Sequence, residues 1–267
     1  RATYDDYVLT DLSPQQMAAL QAQGYEVQVQ EAALTVQIRG RTVAMVTRDD
    51  ETLVTDRPRL RDLDIVRAGP PPATFGPGRH YYLVYFIGPV KGEWLNEIAA
   101  RGGVIQDPVP PYAYIIALDQ ATYEWLITEP PYVQFVGHYT PELRLDPTVR
   151  AAPPDPAVGR GRIFERAAAD FATAPAPKVE RVPNTYVVRF FEPADLEQAI
   201  PRLQALGAEV GDYAPGATTI AVSFAPDTAD LAAKVERIGH LHGVRLVESH
   251  KLRQLYNDVA IGLMGAR

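Results

Sequence analysis

The sequence contains no cysteine, which excludes disulfides, thiolate metal sites and cysteine nucleophiles together. Serine is nearly absent too: Ser13, Ser223 and Ser249 are the whole complement. None stands in the Gly-x-Ser-x-Gly turn that presents a nucleophile. Ser13, followed by Pro14, reads as a helix cap, and Ser223 lies in a strand of alternating pattern. Basic residues are outnumbered, 26 Lys and Arg against 33 Asp and Glu, for a net charge of −7. No basic face is left for nucleic-acid phosphates, so nucleic acid is not an expected partner. No apolar run reaches the ~18 residues of a membrane helix, so no membrane span is expected; Tyr112 to Leu118 is only strand-length.

Other chemistry is also missing. Gly159-Arg160-Gly161-Arg162 follows no strand and lacks the Gly-Lys-Thr ending of a phosphate loop. His240-Leu241-His242, with His250 nearby, is the one histidine cluster, but no third ligand stands at convincing spacing. These read as solvated turn histidines. Glu93, Glu97 and Asp107 are scattered charges, and Asp49-Asp50-Glu51 reads as a solvated turn. The expectation is a chain that is not an enzyme and needs no cofactor and no metal.

What is present is material for several small cores. The chain has 267 residues, 46% of them hydrophobic, and 24 prolines that cluster. That length suggests more than one domain, and clustered proline suggests linkers. Internal repetition is the strongest signal. From Tyr81 the pattern runs strand (Tyr81 to Phe86), helix (Lys91 to Arg101), strand (Val104 to Gln106), strand (Tyr112 to Leu118), helix (Gln120 to Thr128) and strand (Tyr132 to Val136). From Asn184 the same order returns: Tyr186 to Phe191, Asp195 to Leu206, Gly207 to Val210, Thr218 to Phe224, Asp227 to Ile238, Val244 to Val247. The first residues give a shorter version, with a strand at Tyr7 to Leu9 and a helix carrying Met17 and Leu20 inward. Strands then follow at Glu26 to Val29, Leu34 to Ile38 and Thr42 to Val46. The glycine-to-strand junction recurs at Gly24, Gly102 and Gly207.

The fold class expected is therefore α+β: tandem ferredoxin-like βαββαβ modules with antiparallel sheets. The divisions are a degenerate βαββ module at 1–68, a Pro/Gly linker at 69–78 and a ferredoxin-like module at 79–146. A Pro-rich linker with a short helix follows at 147–183, then a second full module at 184–256 and an extended tail at 257–267. In the first strand of the middle module, Tyr82, Val84 and Phe86 alternate with Tyr81, Leu83 and Tyr85. Successive side chains in a strand point to opposite faces, so both faces are apolar. One set has to leave the module's own core. Tyr82, Val84 and Phe86 are assigned to the face that binds another domain or chain.

Two passages resemble a known family. One is Tyr82-Leu83-Val84-Tyr85-Phe86-Ile87-Gly88-Pro89 with Trp94, then Gly103-Val104-Ile105, Pro110-Pro111-Tyr112-Ala113-Tyr114 and Val133 to Tyr139. The other is the stretch Asn257-Asp258-Val259-Ala260-Ile261-Gly262-Leu263-Met264-Gly265. Together they resemble the N-terminal propeptide region of multidomain subtilisin-like serine proteases. The resemblance implies a ferredoxin-like propeptide that docks on a subtilisin-like catalytic domain as intramolecular chaperone and inhibitor. It further implies that the tail, with Leu263, Met264, Gly265, Ala266 and Arg267 as binding residues, lies in the substrate cleft. The chain begins at Arg1 rather than methionine, from either a trimmed N-terminus or a removed signal peptide, and the expectation is a secreted protein. The rival reading is a self-assembling structural protein of the cell surface or an extracellular filament, whose partners are copies of itself.

Overall fold

The computed structural model describes residues 2–10, 12–28, 35–47, 64–70, 78–150 and 181–251. The chain divides into two compact units, residues 1–143 and 144–267. Both are α+β, and each contains a ferredoxin-like module.

In the first unit the module consists of β6 (His80–Phe86), α2 (Gly92–Ala100), β7 (Val104–Val109), β8 (Ala113–Leu118), α3 (Gln120–Thr128) and β9 (Val133–His138). The sheet order is β7-β8-β6-β9, antiparallel throughout. Local chemistry sets the helix ends. The Asp119 carboxylate accepts the Thr122 backbone N–H at 2.8 Å and caps α3; that bond holds its carboxyl below the usual range. Gly102, at φ +100°, turns the chain out of α2, a conformation that costs glycine nothing. Gly24 and Gly207 adopt the same positive φ after their helices, so the repeated glycine is a repeated helix stop.

The segment before this module differs from the expected βαββ unit. β1 (Ala2–Thr3) and β2 (Val8–Leu9) form a small hairpin. Ala2 packs into the core of the module, where Tyr4 joins it as a partly buried neighbour. The Tyr4 hydroxyl donates to the Pro89 carbonyl at 2.9 Å. α1 (Pro14–Ala22) has the cap read from Ser13, in reciprocal form with Gln16, but Met17 and Leu20 are only half-buried and the helix buries no residue. Residues 25–28 form no strand. The second sheet of the unit is β3-β4-β5: β3 (Thr35–Ile38), β4 (Arg41–Val46) and β5 (Asp64–Arg67). β3 pairs antiparallel with β4, and β5 pairs parallel with β4.

The second unit opens with Leu145 and Asp146, bridged to β13 (Val244–Lys251), and α5 (Pro147–Arg150); the short α4 (Pro141–Arg144) precedes them. Leu145 is buried in the core of this unit and Val149 packs on it, so residues 145–150 serve the module that follows them. That module is β10 (Arg181–Phe190), α6 (Pro193–Ala205), β11 (Glu209–Val210), β12 (Thr219–Ser223), α7 (Leu231–Gly239) and β13. Its sheet order is β11-β12-β10-β13, again antiparallel. α7 begins at Leu231 rather than Asp227, after Asp230 at φ 55°. Arg144 is buried and donates to the Gly239 carbonyl in the last turn of α7 and to the Leu241 carbonyl just beyond it. The expected helix around Ile163 to Phe171 and residues 252–256 lie outside the described residues.

Candidate interaction faces

The register of β6 decides which of its side chains face the helices. Tyr82, Val84 and Phe86 share one core with Trp94, Ile98, Leu126 and Val136. Phe86 stacks on Trp94, and Trp94 lies flat on Tyr132 at 4.9 Å. Tyr82 stacks on Tyr123 at 5.0 Å. Burial pushes the Tyr82 hydroxyl above the phenol range. Tyr132 is raised for the same reason, and also because its hydroxyl donates to the Glu97 carboxylate at 2.7 Å. Tyr82, Val84 and Phe86 are thus the module's own core. This corrects their assignment to a partner-binding face: α2 and α3 cover that side of the sheet.

The opposite face carries Tyr81, Leu83 and Tyr85, aligned with Ala117, Ile115 and Ala113 of β8 and with Gly137 and Phe135 of β9. It is closed as well, with exposures of 4%, 0% and 7% for Tyr81, Leu83 and Tyr85. The β3-β4-β5 sheet is bonded to both flanks of the module. At the β7 flank the Gln37 N–H donates to the Pro110 carbonyl at 3.0 Å. At the β9 flank Ala68 and Gly69 bridge to Gly137, and the Gly69 N–H donates to the Val136 carbonyl at 3.2 Å. Gly137 permits this approach, because a Cβ there would lie 2.6 Å from the Arg67 carbonyl oxygen. Arg39 reinforces the join, donating to the Tyr139 hydroxyl at 3.1 Å and the Leu143 carbonyl at 2.9 Å. Val36, Val43 and Val66 of the three-stranded sheet are fully buried.

The second module keeps the inner triplet and changes the outer one. Tyr186, Val188 and Phe190 stand where Tyr82, Val84 and Phe86 stand, with Val188 and Phe190 in the core and Tyr186 packed against it. On the outer face Thr185, Val187 and Arg189 replace Tyr81, Leu83 and Tyr85. Val187 aligns with Ala221 and Glu248, and Arg189 with Leu246. Arg189 pairs with Glu248 at 2.8 Å. Val187, Ala221 and Leu246 are half-buried, and the helices of this unit pack on the other side of the sheet. Among the described residues of this unit, no second sheet covers it.

Both modules protect the same edge in the same way. The Asp146 N–H donates to the Val247 carbonyl at 2.9 Å, as Gly69 does to Val136. The outer edge strand β7 carries Pro108 and a register shift, and β11 is two residues long. Short strands and proline are devices that block strand addition.

His242 does not stand alone: its Nε2 lies 3.6 Å from Oδ1 of Asp195, which α6 brings across from nearly fifty positions earlier in the chain. Sequence spacing gave no sign of that neighbour. Among the described residues no group of three or more His, Cys, Asp or Glu is placed to hold a metal ion, and no helix is long and apolar enough to cross a membrane. The tail residues Leu263, Met264, Gly265, Ala266 and Arg267 lie outside the described residues.

A domain of unknown function, DUF8729, is matched over residues 37–140. The span runs from within β3 to just past β9, taking in the three-stranded sheet and the middle module together. No curated protein and no solved structure matches the chain.

Proposed function

We propose that the chain is a non-catalytic, propeptide-like region of a secreted subtilisin-like protease, acting on the catalytic domain as chaperone and inhibitor. The observation that carries this reading is a ferredoxin-like module at 181–251 followed by the stretch Asn257 to Gly265. A folded platform followed by a tail with apolar Leu263 and Met264 suits binding without chemistry: the platform would fix the partner, and the tail would enter a cleft as an added strand. The inner triplet Tyr186, Val188 and Phe190 belongs to the platform's core, leaving its outer face and the tail for the partner. Assembly with copies of itself is the second reading. The blunted sheet edges weigh against assembly by strand addition and leave face-to-face contact as its route.

The test is inhibition of a subtilisin by the full chain with a chromogenic peptide substrate. The chain should slow hydrolysis, and deletion of residues 259–267 should relieve inhibition while leaving the melting temperature of the modules unchanged. A full chain that neither binds nor slows the protease contradicts the reading.

A further inference from the structure

We propose that residues 144–150 are an exchangeable segment: they seat against the free edge of β13 and the end of α7, and that seat accepts the same segment from a second copy of the chain. The inference rests on the fold of the second unit and stands apart from the propeptide reading above.

The module at 181–251 is incomplete without this segment. β13 is an outer strand of its sheet, with β10 on one side, and its other edge is closed by Leu145 and Asp146. Leu145 bridges Val247 in parallel register, and the Asp146 N–H donates to the Val247 carbonyl at 2.9 Å. The Leu145 side chain shares one core with Val188, Phe190, Val235 and Val247. Arg144 is only 2% exposed, and its guanidinium reaches the Gly239 and Leu241 carbonyls at 3.4 and 3.1 Å. A helix end leaves carbonyls without partners and favours a cation there. Val149 packs on the same core, and α5 lies against α7 and β13. An apolar anchor, a buried cation and a backbone pair together make a specific seat for a short peptide.

The covalent connection does not decide which copy fills that seat. Residues 151–180 separate the segment from β10, and about 30 residues reach up to roughly 100 Å when extended. The same contacts form within one chain or between two, so exchange loses none of them. The middle module differs. Ala68 and Gly69 guard its corresponding edge, but they continue directly from β5, which pairs with β4 along its whole length. They cannot leave without unpairing that sheet. Among the described strands of the second unit, residues 144–150 pair with β13 alone. A tether of this length holds its own segment at a concentration on the order of millimolar. The closed monomer therefore prevails in dilute solution, and exchange grows with concentration.

The experiment exploits the absence of cysteine from the full chain. One variant carries Leu145→Cys and another Val247→Cys, and cysteine is a small apolar side chain suited to a buried position. A disulfide between the two positions then forms only between copies. The folded variants are mixed in equal amounts and held in urea below the unfolding midpoint, which lets a local segment leave. They are returned to buffer and oxidised, and the linked peptides are mapped by mass spectrometry. The expected result is a 145–247 link in about tenfold excess over the 145–145 and 247–247 links. Its yield should rise about tenfold or more between roughly 10 µM and 1 mM chain, as mass action against the tether requires. Leu145→Cys and Val247→Cys placed in one chain should close on themselves in dilute solution, which shows that the seat forms with both substitutions. The unsubstituted chain, taken through the same urea step, should sediment as a monomer when dilute and include a dimer near 1 mM. A self-closing double variant with no 145–247 link in the mixture overturns the exchange. So does an unsubstituted chain that stays monomeric at both concentrations, or one that forms a dimer while the mixture gives only 145–145 and 247–247 links. None of these outcomes alters inhibition of a subtilisin, which tests the propeptide reading separately.

Discussion

At the scale of the residue, two glycines show how backbone approach and side-chain contact differ in cost. A Cβ on Gly137 meets the Arg67 carbonyl, which is fixed in a strand; a Cβ on Gly88 meets Leu9 Cδ1, the free end of a side chain. Gly137→Ala should therefore cost about 1–3 kcal/mol, the range of overpacking, and Gly88→Ala less, as Leu9 can turn aside. Urea unfolding of the two variants checks the order. Tyr132 gives a pH test. Its folded value and that of Tyr82 are raised, so both phenols favour their protonated form in the fold. Their contribution is complete below the unfolded phenol value of about 10 and is lost as pH rises beyond it. The urea midpoint should fall above about pH 10, and Tyr132→Phe should fall less steeply while losing about 0.5–1.5 kcal/mol at neutral pH with the Glu97 bond. Equal pH profiles for the two proteins would contradict this assignment.

At the scale of the element, α6 contains Pro201, which has no N–H to offer the helix and crowds the preceding turn. Leu196, Ala199 and Leu203 hold it in place by burial. Pro201 is exposed, so Pro201→Ala should raise stability by about 1–3 kcal/mol, read as a higher melting temperature. The order of strands and helices in both modules was legible because each helix keeps an apolar stripe and the first helix of each module ends at a glycine, Gly102 or Gly207. The inner core was legible too, in the shared Tyr-x-Val-x-Phe of β6 and β10, but alternation within β6 alone does not distinguish its two faces. Comparing β6 with β10 does, since only the core-facing set recurs. β5 was not legible: Asp64-Ile65-Val66-Arg67 is four residues with charged ends, and its parallel pairing to β4 depends on contacts far away in sequence. The join between that sheet and the middle module was hidden for the same reason, as Gln37 and Pro110 share no local pattern.

At the scale of the whole molecule, one architecture is used twice for different ends. One module is buried on both faces, and a sheet from the preceding segment is bonded to its two flanks. The other has its helical side closed and its outer face half-open. The propeptide reading proposed above expects a one-to-one complex with a protease, and the assembly reading an open polymer. Sedimentation velocity of the full chain, alone and mixed with a subtilisin whose catalytic serine is replaced by alanine, tests this most directly. The propeptide reading predicts a monomer alone and a one-to-one complex in the mixture. A chain that sediments as large assemblies by itself and leaves the protease free would contradict it.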